Sequence, residues 1–417
     1  MFALCLNHRY LMQTTPGSNY DFYFTKEELK LLNCEEMAKG NETVIEKYVN
    51  NGRIKLISGK LIDLPMDCES ISKRIEGNRW NFGKLRRPVA FVRNIFTLYE
   101  FQEFLLSMIY HPDNTYCYSV DSKTTNGLFE KIQKLTQCFP NIYLNPGKYD
   151  LDSSGHFQNR AQLKCLEIIM NRTWYHTILL QNYDLVLKPA EQLSELSEML
   201  NYTSMVGSDY GFKGRFEEKA DWTPAALKLF KNESGVPQDV LHRPLTIRKY
   251  LAEVILSKEF VESIFEKLNL EKILDLFDNN KFYGVDEMLI QTLYLNQLGL
   301  NGEMSSNCTE VEQVEMIRKT EWMENDIQFD KNCKSKFKRH LICIIGVEYL
   351  RDFANSETVI ANKVMENFDF GPMICLKEMF RNGKTKAIPE RALLPFSNYR
   401  EMLLKQNETY NKETFQC

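Results

Sequence analysis

Between residues 86 and 200, short apolar runs alternate with longer segments of helical periodicity, and few folds accept that order. Arg86-Arg-Pro88 introduces Val89-Ala-Phe-Val92, which reads as a short buried strand. Thr97 to Tyr110 carries Leu98, Phe101, Leu105, Met108 and Ile109 at the spacing of an amphipathic helix. His111-Pro-Asp-Asn114 breaks that helix, and Thr115-Tyr-Cys-Tyr-Ser-Val120 follows as a second strand. Leu128, Phe129, Ile132 and Leu135 mark the next helix, and Asn141-Ile-Tyr-Leu144 the third strand. A helix from about Phe157 to Met170, the strand Thr177-Ile-Leu-Leu180 and a helix from Ala190 to Leu200 continue the series. Consecutive strands joined through helices are parallel neighbours, because the chain must cross back before it pairs again. The expected fold class is therefore α/β, with a mostly parallel central sheet flanked by helices.

Further on, the segment from Ser204 to about Arg243 is polar and loop-rich. Tyr250 to Leu256 reads as a strand, Lys258 to Leu276 as one or two helices, and Gly284 to Leu298 as a helix opened by Asp286. Leu341-Ile-Cys-Ile-Ile345 is a late strand ending on Gly346. A chain of 417 residues that is 43% hydrophobic can bury a large core. The division expected is a polar, stem-like helical segment over 1–85, a main domain over 86–380 and a peripheral charged tail over 381–417.

A formal net charge of -4 gives no electrostatic reason to expect nucleic acid or an anionic membrane surface as a partner. The 11 cysteines are dispersed and form no CxxC pair, which argues against zinc ribbons and thioredoxin-like motifs. Two readings stand: long-range disulfides in an oxidising compartment, or buried thiols in a reducing one. Sequons at Asn41, Asn171, Asn201, Asn232, Asn307 and Asn407 favour the first. No apolar run reaches the roughly 18 residues a spanning helix needs. Met1-Phe-Ala-Leu-Cys-Leu6 is too short and lacks the basic start of a signal peptide.

Several groups are placed for chemistry. The strand from Thr115 closes on Asp121, followed by Ser122 and Lys123, and α/β proteins bind nucleotides in the crevice beyond such strand ends. Asp150-Leu-Asp152 has the DxD form that can share one hard cation on a nucleotide diphosphate, although so short a motif also arises by chance. Asp286-Glu287 is either an acidic cap at a helix start or a site for one general base. Lys336, Lys338, Arg339, His340 and Lys363 are either solvated surface charge or a diphosphate cradle. There is no GxGxxG, GxxxxGK[ST] or HExxH, and the six histidines show no ligand spacing.

Seven blocks occur in an order that resembles one family. They are Pro88-Val-Ala-Phe91, Tyr116-Cys-Tyr-Ser-Val-Asp121, Gln137-Cys-Phe-Pro-Asn141, Thr177-Ile-Leu-Leu-Gln-Asn-Tyr-Asp184, Tyr283-Gly-Val-Asp-Glu287, Cys343-Ile-Ile-Gly346 and Ala361-Asn-Lys363. Over about Cys34 to Leu376 the chain resembles the core-2/I-branching enzymes, β-1,6-N-acetylglucosaminyltransferases of glycosyltransferase family 14, in a divergent, nematode-like form.

That resemblance implies a GT-A-like fold, UDP-N-acetylglucosamine as donor, a glycan acceptor, inversion at the anomeric carbon and independence from metal. It places Asp121, Ser122 and Lys123 at the uridine, Glu287 at the catalytic base, and Arg339 with Lys363 at the diphosphate. It implies the disulfides Cys34–Cys375, Cys68–Cys138, Cys117–Cys165 and Cys333–Cys343, with Cys5, Cys308 and Cys417 left over. The acceptor segment departs from the family pattern. Asp209, Arg215 and Lys219 are its nearest candidates, Gly207 fills an expected acidic position, and Trp322 is kept while Glu324 stands where a Tyr is expected. Gln181 replaces a Cys that the family often leaves unpaired. The resemblance also implies a Golgi-lumenal, type II membrane glycoprotein whose anchor is not visible in this sequence. Two other functions fit the same residues: an inactive relative that binds a glycan or nucleotide sugar, and a xylosyltransferase on the same scaffold.

Overall fold

The computed structural model of the chain describes residues 22–407 and 411, apart from 58–63, 78–81, 126, 212, 280, 306–307, 309–314, 324, 326 and 328–330. Its strands are β1 (Val89–Ile95), β2 (Thr115–Val120), β3 (Ile142–Leu144), β4 (His176–Leu180), β5 (Leu185–Val186) and β6 (Asp209–Tyr210). They continue with β7 (Arg248–Lys249), β8 (Ile255–Ser257), β9 (Arg318–Lys319), β10 (Lys338–Arg339), β11 (Ile342–Cys343) and β12 (Ile360–Ala361). The central sheet runs β3-β2-β1-β4-β8. β1 is parallel to β2 and β4, β2 is parallel to β3, and β8 adds an antiparallel edge. This is the mixed, mostly parallel α/β sheet of a GT-A-like fold.

β1, β2 and β4 are buried along their whole length, because helices cover both faces of the sheet. Alternate side chains feed two cores. Phe91 stacks on Tyr116 at 5.2 Å on one face, while Ala90, Val92 and Cys117 join Leu179 on the other. From β1 the chain moves outward to β2 and β3, then returns to the opposite side of β1 for β4. The reversal opens a crevice beyond the carboxyl ends of β1 and β4, where ligands bind in such sheets.

Four expectations need correction. The helix Tyr99–Ile109 is buried on every face, not only along an apolar stripe. Its polar side is covered by the helix Cys68–Ile75, whose Arg74 meets Glu103 at 2.6 and 3.0 Å with neither side chain exposed. The stretch from Tyr250 to Leu256 is not one strand: β7 pairs with β6, β8 pairs with β4, and between them Glu253 is buried against Arg318. Leu341–Ile345 supplies only the two-residue β11, because His340 and Leu341 turn with φ of 50° and 63° and fold β10 back onto it. The helix expected over Gly284–Leu298 is a single 3-10 turn, Val285–Glu287, followed by Leu289–Leu295.

The flanking segments are built into the same body. Tyr48 donates to Asp369 at 2.8 Å, and Arg53 meets Asp369 at 2.6 Å. Residues 388–402, expected to be peripheral, give Ile388, Leu393, Phe396, Tyr399 and Met402 to the core. Disulfides join Cys34 to Cys375, Cys68 to Cys138, Cys117 to Cys165 and Cys333 to Cys343, the pairings the resemblance implies. Cys308 is disulfide-bonded as well.

Candidate active site

A cleft of about 410 Å³ lies at the carboxyl edge of the central sheet. Phe96 follows β1, Asp121 follows β2, and Gln181, Asn182 and Tyr183 follow β4, so the crevice at the strand reversal is this cleft. Its floor is held from within β1. Arg93 Nη1 donates to the carbonyls of Gln181 at 3.2 Å and Asp184 at 2.9 Å. Asn182 Oδ1 accepts from the Phe96 and Thr97 amides at 2.8 and 3.1 Å.

Asp121 extends β2 by one bridge, to Tyr149. Its carboxylate accepts from the Lys123 and Leu151 amides at 3.1 and 3.3 Å, which fixes it at the rim. Lys123 Nζ lies 3.7 Å from Asp121 and is ion-paired with Asp150. Asp121 and Lys123 line the cleft. Ser122 is exposed and outside the lining, with its amide bonded to the Tyr149 carbonyl at 2.9 Å. The two carboxylates of the DxD stretch have cationic or donor partners: Asp150 has Lys123, and Asp152 Oδ2 meets His156 Nδ1 at 2.7 Å.

Two cations face the cleft around one ring. Arg339 Nη1 is 3.5 Å from the Tyr183 hydroxyl, and Lys363 Nζ is 5.8 Å from the Tyr183 ring centre. The β10–β11 hairpin, closed by Cys333–Cys343, presents Arg339 and His340, and the end of β12 presents Asn362 and Lys363. Among the described residues neither Arg339 nor Lys363 has a carboxylate partner. Burial, aided by the repulsion of Arg339, lowers the Lys363 pKa. Such a site gains by taking in a negative ligand.

The opposite wall carries the carboxylates. Gly284, at φ 64°, opens the turn that brings Asp286 into the cleft lining and Glu287 beside it. A side chain at Gly284 would meet Arg215 Nη1 at 2.7 Å and Glu287 Oε2 at 3.0 Å. Glu287 Oε2 is 2.7 Å from Lys249 Nζ and 3.6 Å from Arg215 Nη1. Asp286 instead accepts from the neutral Gln181 amide. Burial, and then the charge of Glu287, push its carboxyl up to about 7. Two neighbouring acids thus have different surroundings, an arrangement that separates chemical roles.

The acceptor candidates divide, Arg215 and Asp209 adjoining the Glu287–Lys249 pair and the other two lying apart from it. Arg215 stacks on the exposed Tyr283 at 4.1 Å, and Asp209 pairs in register with Lys249 across β6 and β7. Lys219 is exposed on its loop, and neither it nor Trp322 lines the cleft. Trp322, 54% exposed, bridges to Ile342 behind the hairpin.

A model of the Core-2/I-Branching enzyme family matches residues 89–354, a span that includes β1 to β11 and both carboxylates. The chain belongs to the core-2/I-branching enzyme family. It is therefore a glycosyltransferase. It is 22% identical over 375 residues to the human beta-1,3-galactosyl-O-glycosyl-glycoprotein beta-1,6-N-acetylglucosaminyltransferase 3, covering 84% of this chain and 83% of that one. The bovine herpesvirus 4 (strain DN-599) beta-1,3-galactosyl-O-glycosyl-glycoprotein beta-1,6-N-acetylglucosaminyltransferase is 21% identical over 370 residues, 84% of this chain and 82% of its own. The mouse enzyme 3 is 20% identical over 369 residues, with 84% and 83% covered.

In this branching-enzyme scaffold the structure adds residues that sequence reasoning had not singled out as functional. Lys249 holds Glu287, Tyr183 sits between the two cations, and Asn362 Nδ2 reaches Asp184 at 2.7 Å to set the end of β12. Tyr183 and Asn362 lie inside the blocks that carry the family resemblance. Lys249 gave no such signal, since it lies in a polar stretch and meets Glu287 only through the fold.

Proposed function

We propose that this glycosyltransferase moves N-acetylglucosamine from UDP-N-acetylglucosamine to a hydroxyl group of a glycan, with inversion and without a metal ion. The observation that carries this reading is one cleft lined by two cations, Arg339 and Lys363, and by the carboxyl of Asp286, with Glu287 next to it in the same turn. Uridine binds at Asp121, Ser122 and Lys123, and the diphosphate is held by Arg339 and Lys363. Glu287 takes the proton from the acceptor hydroxyl. The freed oxygen forms a bond to the anomeric carbon as the bond to the phosphate oxygen breaks, and UDP leaves with that electron pair. Arg339 and Lys363 balance the charge that develops on it. Arg215 and Asp209 border the acceptor side, and the names of the relatives support an O-linked glycan as the acceptor class.

The same reading places the protein in the lumen of the secretory pathway, in the Golgi, as a type II membrane protein. The disulfides support an oxidising compartment. Among the described residues no helix is long and apolar enough to cross a membrane.

The test is transfer by Glu287→Gln, followed by mass spectrometry across a panel of UDP-sugars that includes UDP-xylose. UDP affinity is expected to persist while transfer is lost, and unchanged transfer sinks the assignment of the base. Transfer in excess EDTA is expected to continue. Complete loss that added metal restores would return Asp150 and Asp152 to the mechanism.

A further inference from the structure

Gln181 and Asp286 face the cleft with no part in taking the proton or holding the diphosphate. Gln181 follows β4 and Asp286 belongs to the turn that ends on Glu287, so the hydrogen bond from Gln181 Nε2 to Asp286 Oδ2, 2.5 Å long, ties the two walls together. Two residues beyond Gln181, Tyr183 meets Arg339 and Lys363. One residue beyond Asp286 is Glu287. The pair therefore shares the cleft lining with the diphosphate cations and adjoins the base in the chain, which puts it in the interval a transferred sugar would fill. The transferred sugar must occupy that interval, because its anomeric carbon lies between the departing phosphate oxygen and the attacking hydroxyl.

Both groups are held in place. The Gln181 amide donates to Asp184 Oδ2 at 2.6 Å, and its carbonyl accepts from Arg93. Asp286 is backed by Gly155, where an added Cβ would fall 2.1 Å from Oδ1. Their chemistry suits hydroxyl groups and not phosphate, since a carboxylate repels phosphate while an amide and a carboxyl together accept from and donate to alcohols. Among the described residues no hydrogen bond uses Gln181 Oε1 or Asp286 Oδ1, so the pair keeps free acceptors for a ligand. We propose that Gln181 and Asp286 form the subsite that reads the hydroxyl groups of the transferred sugar and thereby sets donor preference, an inference that rests on the donor reading above.

Calorimetric titration of the whole chain with UDP, UDP-N-acetylglucosamine and its C4 epimer UDP-N-acetylgalactosamine tests this. Wild type is expected to prefer one epimer by at least about tenfold, as hydrogen-bonding sites do. Asp286→Asn and Gln181→Ala are each expected to reduce that preference to under about threefold, with UDP affinity within about twofold of wild type, which also reports an intact fold. A wild type that does not discriminate, or variants that keep its preference, overturns the proposal. If UDP itself fails to bind wild type, the donor reading falls first and takes this subsite with it.

Discussion

Lys249 Nζ lies 2.7 Å from Glu287 Oε2, and the two residues reach each other from separate elements, β7 and the turn Val285–Glu287. The ion pair fixes the direction of the carboxylate beside the cleft. Lys249→Met is therefore expected to slow transfer by about 10- to 100-fold, within the range that one positioned proton-transfer group supplies. UDP affinity should stay within about twofold, because Lys249 does not line the donor cleft. Initial rates with calorimetry separate the two effects, and an unchanged rate would leave the ion pair a structural role only.

Arg339 and Lys363 face the cleft, each 5.8 Å from the Tyr183 ring centre, and among the described residues neither has a carboxylate partner. A hydrogen bond to a charged group contributes about 1.5–3 kcal/mol, so Arg339→Ala and Lys363→Ala should each weaken UDP binding by roughly 10- to 150-fold. Uridine, which has no phosphate, should bind all three proteins alike. The salt dependence of UDP binding should also flatten in each variant.

Asp286 titrates near neutrality, pushed up to about 7 by burial and by Glu287. Below that pH the carboxyl is neutral, and above it a negative charge is added to the cleft that takes the anionic donor. Affinity for UDP-N-acetylglucosamine is expected to fall between about pH 6 and pH 8, whereas Asp286→Asn should show a flat profile. Stability follows the same sign. A carboxyl whose folded pKa exceeds its unfolded value of about 3.9 disfavours folding as pH rises from the unfolded value towards the folded one. Asp286→Asn should therefore gain stability relative to wild type at about pH 8, as read by thermal melting.

Arg74 and Glu103 form an ion pair with neither side chain exposed, joined by the hydroxyl of Tyr99 at 2.5 Å. Removing one partner leaves a buried charge unanswered, so Glu103→Gln is expected to cost about 3–5 kcal/mol in denaturant unfolding. The double substitution Arg74→Met with Glu103→Leu should recover most of that loss. A single variant as stable as wild type would mean that water reaches the site.

What was legible in the sequence follows from where each signal resides. β1, β2 and β4 are covered on both faces, so their apolar runs stand out against the helices between them. The strand end at Asp121 and the pair Asp286-Glu287 were visible for the same reason, being punctuation on regular elements. The disulfide pairing entered only through the family resemblance, since spacing alone allows many connectivities. The β10–β11 hairpin was hidden because His340 and Leu341 adopt positive φ without the Asn or Gly that usually marks such a turn. The burial of Glu103 and Glu253 has no signal in the sequence, because only the fold supplies the arginines that pair with them.

The bridge from Cys34 to Cys375 spans 341 residues. During synthesis Cys34 emerges early and cannot meet this partner until the helix Gly371–Arg381 has followed almost the entire catalytic body. A chain stopped before that point lacks the partner on which Cys34 depends. The oxidation state of one early residue thus reports whether the nascent protein has been made through to its last core helices.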